Sequence, residues 1–343
     1  MKLQKLFVLT ALLSLMLQGC GGGGGDVVPE LPQPVTPSGE GWTSKTIDDG
    51  VVYYTFSGND TISGQREEVF AVDLDLSKPQ YQVKLLYTNP LATVSEAFKQ
   101  NGNTVAAMNA NYEVSSIFIR VNGATYSRIP KTVIGNTDVP NWKSEAAFTS
   151  DGERSLGILF AGSPRRDGEV SDIKGRTYPE AVSRQRIYYT SIEKDYPYLI
   201  SSAPMLIDNY EPVGETFCDY TLTDRQVNAL NGEDPNRHQR VRHPRTAVAL
   251  TENNHFIMLV VDGRTNYSSG MSARELTRFL VRYFNPQYAI NMDGGGSATL
   301  CVKGEGDPDT HVVNYPCDNI PNKDSHDHTH QRPREVHFVI LKR

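Results

Sequence analysis

Two aspartates in this chain stand where carboxylates do chemistry. Asp262 closes the apolar run from His255 to Val261, and Asp293 closes the run from Tyr288 to Met292. Arg245 opens a third apolar run, Arg264 follows just after Asp262, and Gly294, Gly295 and Gly296 follow Asp293. Arginine forks match the oxygens of a phosphate bidentately. Consecutive glycines let backbone N–H groups come close to an anion. Paired carboxylates are the usual equipment for cleaving a glycosidic bond. The set therefore suits a ligand carrying both a sugar and a phosphate. Asp262 and Asp293 are the candidates for acid–base or nucleophilic work. Arg245, Arg264 and the turn 294–297 are the candidates for anion contacts. Thr246, Ser269, Ser297, Asn109 and Asn314 supply further polar groups. Plainer readings stand beside these. An aspartate in a glycine-rich turn can simply satisfy turn backbone. An arginine at a strand start is often an exposed edge residue, and His243 beside Pro244 is either a general acid or a structural histidine. The glycine run is not a P-loop, because no Gly-Lys-Ser/Thr follows it.

These groups act together only if one rim of a sheet collects them. The runs 245–250 and 255–261 flank the polar break Thr251-Glu252-Asn253-Asn254, which reads as a hairpin turn. A turn centred between Glu252 and Asn253 puts position 245 opposite position 260, so Arg245 and Asp262 reach the same edge. Ser272 with Glu275 is a capping box, and Leu276, Phe279, Leu280 and Tyr283 share one helical face up to Asn285-Pro286. Strand 255–261, helix 272–284 and strand 288–292 then form a crossover, whose strands run parallel. Ligands bind outside the carboxyl ends of such strands. Further strands are expected at 51–56, 69–74, 81–86, 104–108, 201–206, 298–302 and 336–341, with a short helix at 94–99. Between 130 and 240 the chain reads as polar and irregular. The fold class is α+β: a large mixed, mainly antiparallel sheet with a few helices and at least one strand–helix–strand crossover.

Composition bounds the rest. The 343 residues carry a net charge of −6 and no basic cluster, which argues against nucleic acid as the partner. Residues 1–20 read as a lipoprotein signal peptide. Lys2 and Lys5 precede an apolar run too short to span a bilayer, and Leu17-Gln18-Gly19-Cys20 places a cysteine at its end. Cys20 is the candidate lipidation site, giving a bacterial cell-envelope protein anchored to a membrane. Residues 21–41, rich in glycine and proline, read as a tether. Residues 42–100 are the strand-rich start of the globular unit, and 101–343 form its main domain. Of the other cysteines, Cys301 and Cys317 flank one long turn and are the preferred disulfide. Three free thiols, with Cys218, are the alternative. No cofactor is required by the sequence. A divalent cation at Asp262 or Asp293, or a metal in the loop holding Asp324, His326, Asp327, His328 and His330, stays open beside a solvated loop.

Four stretches resemble the signature blocks of the phosphodiester glycosidase family. They are His243-Pro244-Arg245-Thr246-Ala247, Val261-Asp262-Gly263-Arg264, Ser269-Gly270-Met271-Ser272 and Asn291-Met292-Asp293-Gly294-Gly295-Gly296-Ser297. Ala107–Tyr112, Ala203–Ile207 and Val312–Pro316 resemble weaker blocks in the same order. Ala110 and Asn111 stand where the family has glycines. The resemblance covers roughly residues 100–342. It implies hydrolysis of the glycosidic C–O bond of a sugar-1-phosphodiester, with a sugar similar to N-acetylglucosamine. Two other readings fit the same residues: a phosphoglycan-binding lipoprotein without catalysis, and a phosphodiesterase that cuts P–O.

Overall fold

The computed structural model describes residues 32–134, 139–162 and 178–343. Cys20 and most of the tether fall outside them. Alternating β-branched and aromatic residues build three main sheets, and every ladder among the described residues is antiparallel. With 18% helix and 38% strand, sheet dominates the α+β architecture. The largest sheet has seven strands. In spatial order they are Trp42–Asp48, Val51–Asp60, Gln65–Asp75, His255–Val261, Arg245–Leu250, Tyr288–Met292 and Met205–Ile207. A four-stranded sheet places Thr104–Asn109 between Leu300–Val302 and Arg334–Lys342, with Tyr81–Ala92 at its edge. A five-stranded sheet runs from Leu156–Phe160 through Ala146–Ser150, Tyr198–Ser202 and Phe118–Val121 to Ala124–Arg128.

The crossover forms, with one change. Strands His255–Val261 and Tyr288–Met292 run in the same direction, but Arg245–Leu250 lies between them and pairs antiparallel with both. The hairpin register also differs from the expected one: Arg245 faces Val261, and Leu250 faces Phe256. Thr251 N–H donates to His255 O and Asn254 takes φ 62°, so the reversal is one position longer than a four-residue break allows. A one-residue slip turns side chains to the other face. The period-2 alternation still sorts the strands cleanly. Val248, Met258, Val260, Ile290 and Met292 point into the core shared with the other sheets. Ala247, Ala249, Leu259 and Val261 point at helix Ala273–Tyr283. That helix starts where expected: Ser272 and Glu275 make both bonds of the capping box, worth about 1 kcal/mol. Leu276, Phe279 and Leu280 are fully buried against the sheet.

Residues 42–92 are integral to the same compact unit, Gln33–Arg343. Gln65–Asp75 pairs with the central hairpin, and Tyr81–Ala92 pairs with the last strand. The docked chain begins before Trp42. Asn285 Nδ2 donates to Gln33 O at 2.7 Å and Val35 N–H to Phe284 O at 2.9 Å, so part of the expected tether packs on the folded unit. Among the described residues, three α-helices occupy the stretch that reads as irregular: Tyr178–Ile192, Asp224–Ala229 and Pro235–Arg240. The last two carried start signals, a Thr223/Gln226 capping box and Asp234 before Pro235.

Candidate active site

The three central strands deliver Arg245, Asp262 and Asp293 to one edge, as the crossover requires. Three loops meet there on the backbone of His243 and Pro244. A Cβ on Gly270 would lie 2.4 Å from His243 O, one on Gly294 would lie 2.4 Å from Pro244 O, and one on Gly263 would lie 2.9 Å from Pro244 N. The motif glycines thus allow backbone to touch backbone. Gly294→Ala is expected to destabilise the protein by about 2–3 kcal/mol, because neither backbone can yield freely. Urea denaturation reads this, and an unchanged midpoint would contradict it.

A cavity of about 520 Å³ opens on this edge. Its walls hold six cationic side chains, Lys143, Arg237, Arg245, Arg264, Arg332 and Arg334, against three carboxylates, Glu113, Glu233 and Asp293. An excess of positive charge here, in a chain of net charge −6, makes the cavity selective for anions. Asp293 is the carboxylate on the sheet edge. Its backbone carbonyl accepts from Thr246 Oγ1 at 2.8 Å and from Asn109 Nδ2. Its Oδ2 lies 2.8 Å from Arg334 Nη2. Burial pushes its pKa up, while the Arg334 charge works against that rise. Glu113 and Glu233 are both held by buried Lys143, each at 2.9 Å.

Arg264 has φ 62° and extends over Gly295. Among the described residues no carboxylate pairs with it. Its Nε and Nη2 lie 3.3 and 3.2 Å from His243 Nδ1. A guanidinium only donates, so Nδ1 accepts and the His243 proton sits on Nε2. Burial first, then Arg245 and Arg264, pull the His243 pKa down to about 3. The imidazole is therefore neutral near pH 7 and presents its Nε2–H as a donor.

Several other expected contacts take different roles. Arg245 is fully buried and donates to Met271 O, Gln239 Oε1, His238 O and Val241 O. It reaches the cavity wall, but its fork is committed to fastening residues 238–241 and 271. Asp262 is not among the cavity walls. Its carboxylate accepts from Asn314 Nδ2 at 2.8 Å and from Tyr315 N–H at 2.9 Å. Asn314 is completed by Ala298 O and Leu300 N–H, so this pair ties the loop after residue 312 to the sheet edge. Ser269 holds Arg66 O through its backbone. Asn109 and Thr246 position Asp293 instead of lining the cavity. Gly294 and Gly295 line it, but Gly295 N–H donates to Pro244 O, so no anion nest forms from that group. Gly296 packs under Arg332 and Asp318, and Ser297 Oγ accepts from Arg334 Nε at 2.7 Å.

Cys301 and Cys317 are buried and not bonded to one another, which overturns the expected disulfide, and Cys218 is buried as well. Cys301 packs with Val94, Phe98 and Ala107, whereas Cys317 Sγ faces Gly295 O. Among the described residues no His, Cys, Asp and Glu cluster is placed to hold a metal. In the His-rich loop, His326 stacks on Tyr267, His328 Nδ1 contacts Asn314 O, and His330 pairs with Asp327.

Burial raises the Asp262 pKa from 3.8 to about 7, and burial likewise raises Glu67 from 4.5 to about 7. Glu67 accepts from Gly270 N–H at 2.8 Å and so holds the adjoining loop. The native state binds these protons more tightly than the unfolded chain. Stability is therefore expected to fall, by a few kcal/mol in order of magnitude, as pH rises from about 4 to about 7. Asp262→Asn should reduce that slope in urea titrations at pH 5 and pH 8. An identical slope would exclude Asp262 as its source.

Arg332 and Arg334 carry no motif in the sequence, although Arg332-Pro333-Arg334 leads into the last strand. Their place follows from Arg334–Lys342 pairing with Thr104–Asn109, which brings its start beside the end of that strand. Lys143 and Glu113 left no sequence signal. Asn111 explains one departure from the motif: it accepts from Val336 N–H at 2.8 Å and donates to Glu335 at 2.7 Å, outside the cavity walls.

A family model described as phosphodiester glycosidase matches residues 101–340. The chain belongs to the phosphodiester glycosidase family. A bovine (Bos taurus) relative, N-acetylglucosamine-1-phosphodiester alpha-N-acetylglucosaminidase, is 33% identical over 105 residues, a segment that spans 31% of this chain and 18% of the bovine protein. The zebrafish catalytic domain of that name, auto-inhibited by its pro-peptide, superposes with a TM-score of 0.52 at 18% identity, covering 91% of this chain and 87% of the other. A Burkholderia pseudomallei protein gives a TM-score of 0.52 at 11% identity, covering 94% and 100%. These two structures share the fold. Residues before the matched region supply four strands of this fold.

Proposed function

We propose that this phosphodiester glycosidase hydrolyses the C–O bond joining the anomeric carbon of a sugar to a phosphodiester. The observation that carries the reading is the cavity itself: Asp293 sits between Arg334 and the glycine turn, with Arg264 free of any carboxylate among the described residues. Water adds its oxygen to the anomeric carbon as the bond to the phosphate oxygen breaks. The bonding pair leaves with the phosphate, and the products are the free sugar and a phosphomonoester. Arg264 and Arg334 stabilise the charge that grows on the leaving oxygen, which a ground-state diester carries less of. Asp293 serves the anomeric carbon or the incoming water. The His243 Nε2–H is an additional donor for a phosphate oxygen.

The sugar is proposed to be N-acetylglucosamine or a close analogue, by similarity to the bovine relative. A panel of α- and β-linked sugar phosphodiesters tests this. Turnover confined to diesters, with release of free sugar, is the expected result. Turnover of none, at any linkage, would defeat it. The enzyme is further proposed to work at the bacterial cell envelope through a lipid on Cys20. Cys20→Ser should then move it from the membrane fraction to the soluble fraction, and unchanged partitioning would refute the anchor.

A further inference from the structure

The cavity carries more positive charge than one phosphodiester can use. Of its six cations, Lys143 is held by Glu113 and Glu233, Arg334 by Asp293, and Arg332 by Asp318. Setting these four carboxylates against the six cations leaves two positive charges. A phosphodiester brings one negative charge, so one cation would stay without a counterion. Besides Arg245, whose fork is committed to carbonyls and Gln239, the cations that meet no carboxylate among the described residues are Arg264 and Arg237. Arg237 spends only its Nη1, on Leu230 O at 2.6 Å.

His238 follows Arg237 and also lines the cavity. Its neighbours fix its tautomer. Arg245 Nη1 donates to Gln239 Oε1 at 2.9 Å, so it is the Gln239 amide nitrogen that meets His238 Nδ1 at 3.2 Å. An amide nitrogen only donates, so Nδ1 accepts and the ring proton sits on Nε2. That Nε2–H has no protein partner among the described residues. The ring packs on Trp142 with centroids 5.2 Å apart, and its centroid lies 6.2 Å from that of His243. Two neutral imidazoles, each with Nδ1 occupied and Nε2–H free, therefore stand next to one another. Glu113 and Glu233 could supply acceptors here, but both are turned to Lys143. What remains is a row of donors. A sugar hydroxyl donates as well as accepts, whereas an oxyanion only accepts.

We infer that the substrate carries a second anionic group besides the scissile phosphodiester, and that Arg237 and His238 bind it. The inference rests on the proposed function, which seats the scissile phosphate on Arg264, Arg334 and His243. The second group sits one imidazole further along the wall, against the Arg237 fork and the His238 Nε2–H. Its charge closes the balance of the cavity. A carboxylate on the sugar, or a carboxylate or phosphate on the alcohol arm, presents the same oxyanion chemistry. Arg237 and His238 are then specificity residues, with no part in bond cleavage.

The test uses non-hydrolysable ligands in which a methylene replaces the anomeric oxygen of an N-acetylglucosaminyl phosphodiester. The reference ligand has a propyl alcohol arm. Two others have arms ending in a carboxylate or a phosphate, and a fourth keeps the propyl arm but carries a carboxylate at C6 of the sugar. Calorimetry on the intact protein gives the dissociation constants. At least one charged ligand should bind about tenfold more tightly than the reference, the scale of one charge-assisted hydrogen bond, and the ligand that gains identifies the source of the charge. Arg237→Gln should cancel that gain while the reference ligand still binds. His238→Phe, which keeps a ring but removes the Nε2–H, should reduce it. No gain for any charged ligand would overturn the inference and leave the proposed function standing. So would an Arg237→Gln protein that kept the gain. A reference ligand weakened by Arg237→Gln as much as the charged one would mean that all the donors serve a single phosphate, and would overturn it too. If no ligand bound, the proposed function would fall, and the second anion position with it.

Discussion

Asp293→Asn is expected to lower kcat about a thousandfold, the scale of losing a positioned acid–base group, with KM unchanged or lower. Asparagine keeps the side-chain size and leaves the backbone carbonyl that Thr246 and Asn109 hold. The fold should therefore survive. What disappears is the negative charge 2.8 Å from Arg334 Nη2. Freed from that partner, Arg334 should hold a phosphate more firmly, so inhibition by a phosphomonoester product should strengthen in the same variant. A steady-state analysis with product inhibition reads both effects. A variant that kept more than a tenth of wild-type kcat would remove Asp293 from the chemistry.

Arg264→Ala should reduce kcat/KM by about two to three orders of magnitude, as for removal of one oriented transition-state donor. Arg264→Lys should recover little, since a point charge cannot reproduce the fork. A second readout separates this from general damage. Arg264 donates to His243 Nδ1 and helps hold the His243 pKa down to about 3. In Arg264→Ala that pKa should rise toward the ordinary histidine value, as a histidine titration by NMR would show. Loss of activity with an unmoved His243 titration would mean that the pair is not formed in solution.

The contrast between Arg264 and Arg245 shows what the sequence could convey. Both belong to family motifs, and both reach the cavity wall. Periodicity placed Arg245 at the correct edge, because apolar alternation and a hairpin decide strand direction. It could not show that the fork would turn to Met271 O and the 238–241 carbonyls, since helix Pro235–Arg240 had not been recognised. The same holds for Asp262. Its position after a buried strand was legible, but its partners, Asn314 and Tyr315, lie far along the chain. The capped helix Ala273–Tyr283 was legible almost to the residue because capping and amphipathic spacing are local. Arg334 was not, because its place depends on a pairing between Arg334–Lys342 and Thr104–Asn109 that spans most of the domain. The glycines were legible as special, but for a different reason: Gly270 and Gly294 are bare because the His243–Pro244 backbone lies against them.

The most direct measurement is hydrolysis of a glycosyl phosphodiester in oxygen-18 water, with mass analysis of both products. Attack at the anomeric carbon puts the heavy oxygen in the released sugar and none in the phosphomonoester, and this is the result expected. Label in the phosphomonoester, with an unlabelled sugar, would mean that the P–O bond breaks, and the account of Asp293 facing the sugar carbon would be wrong.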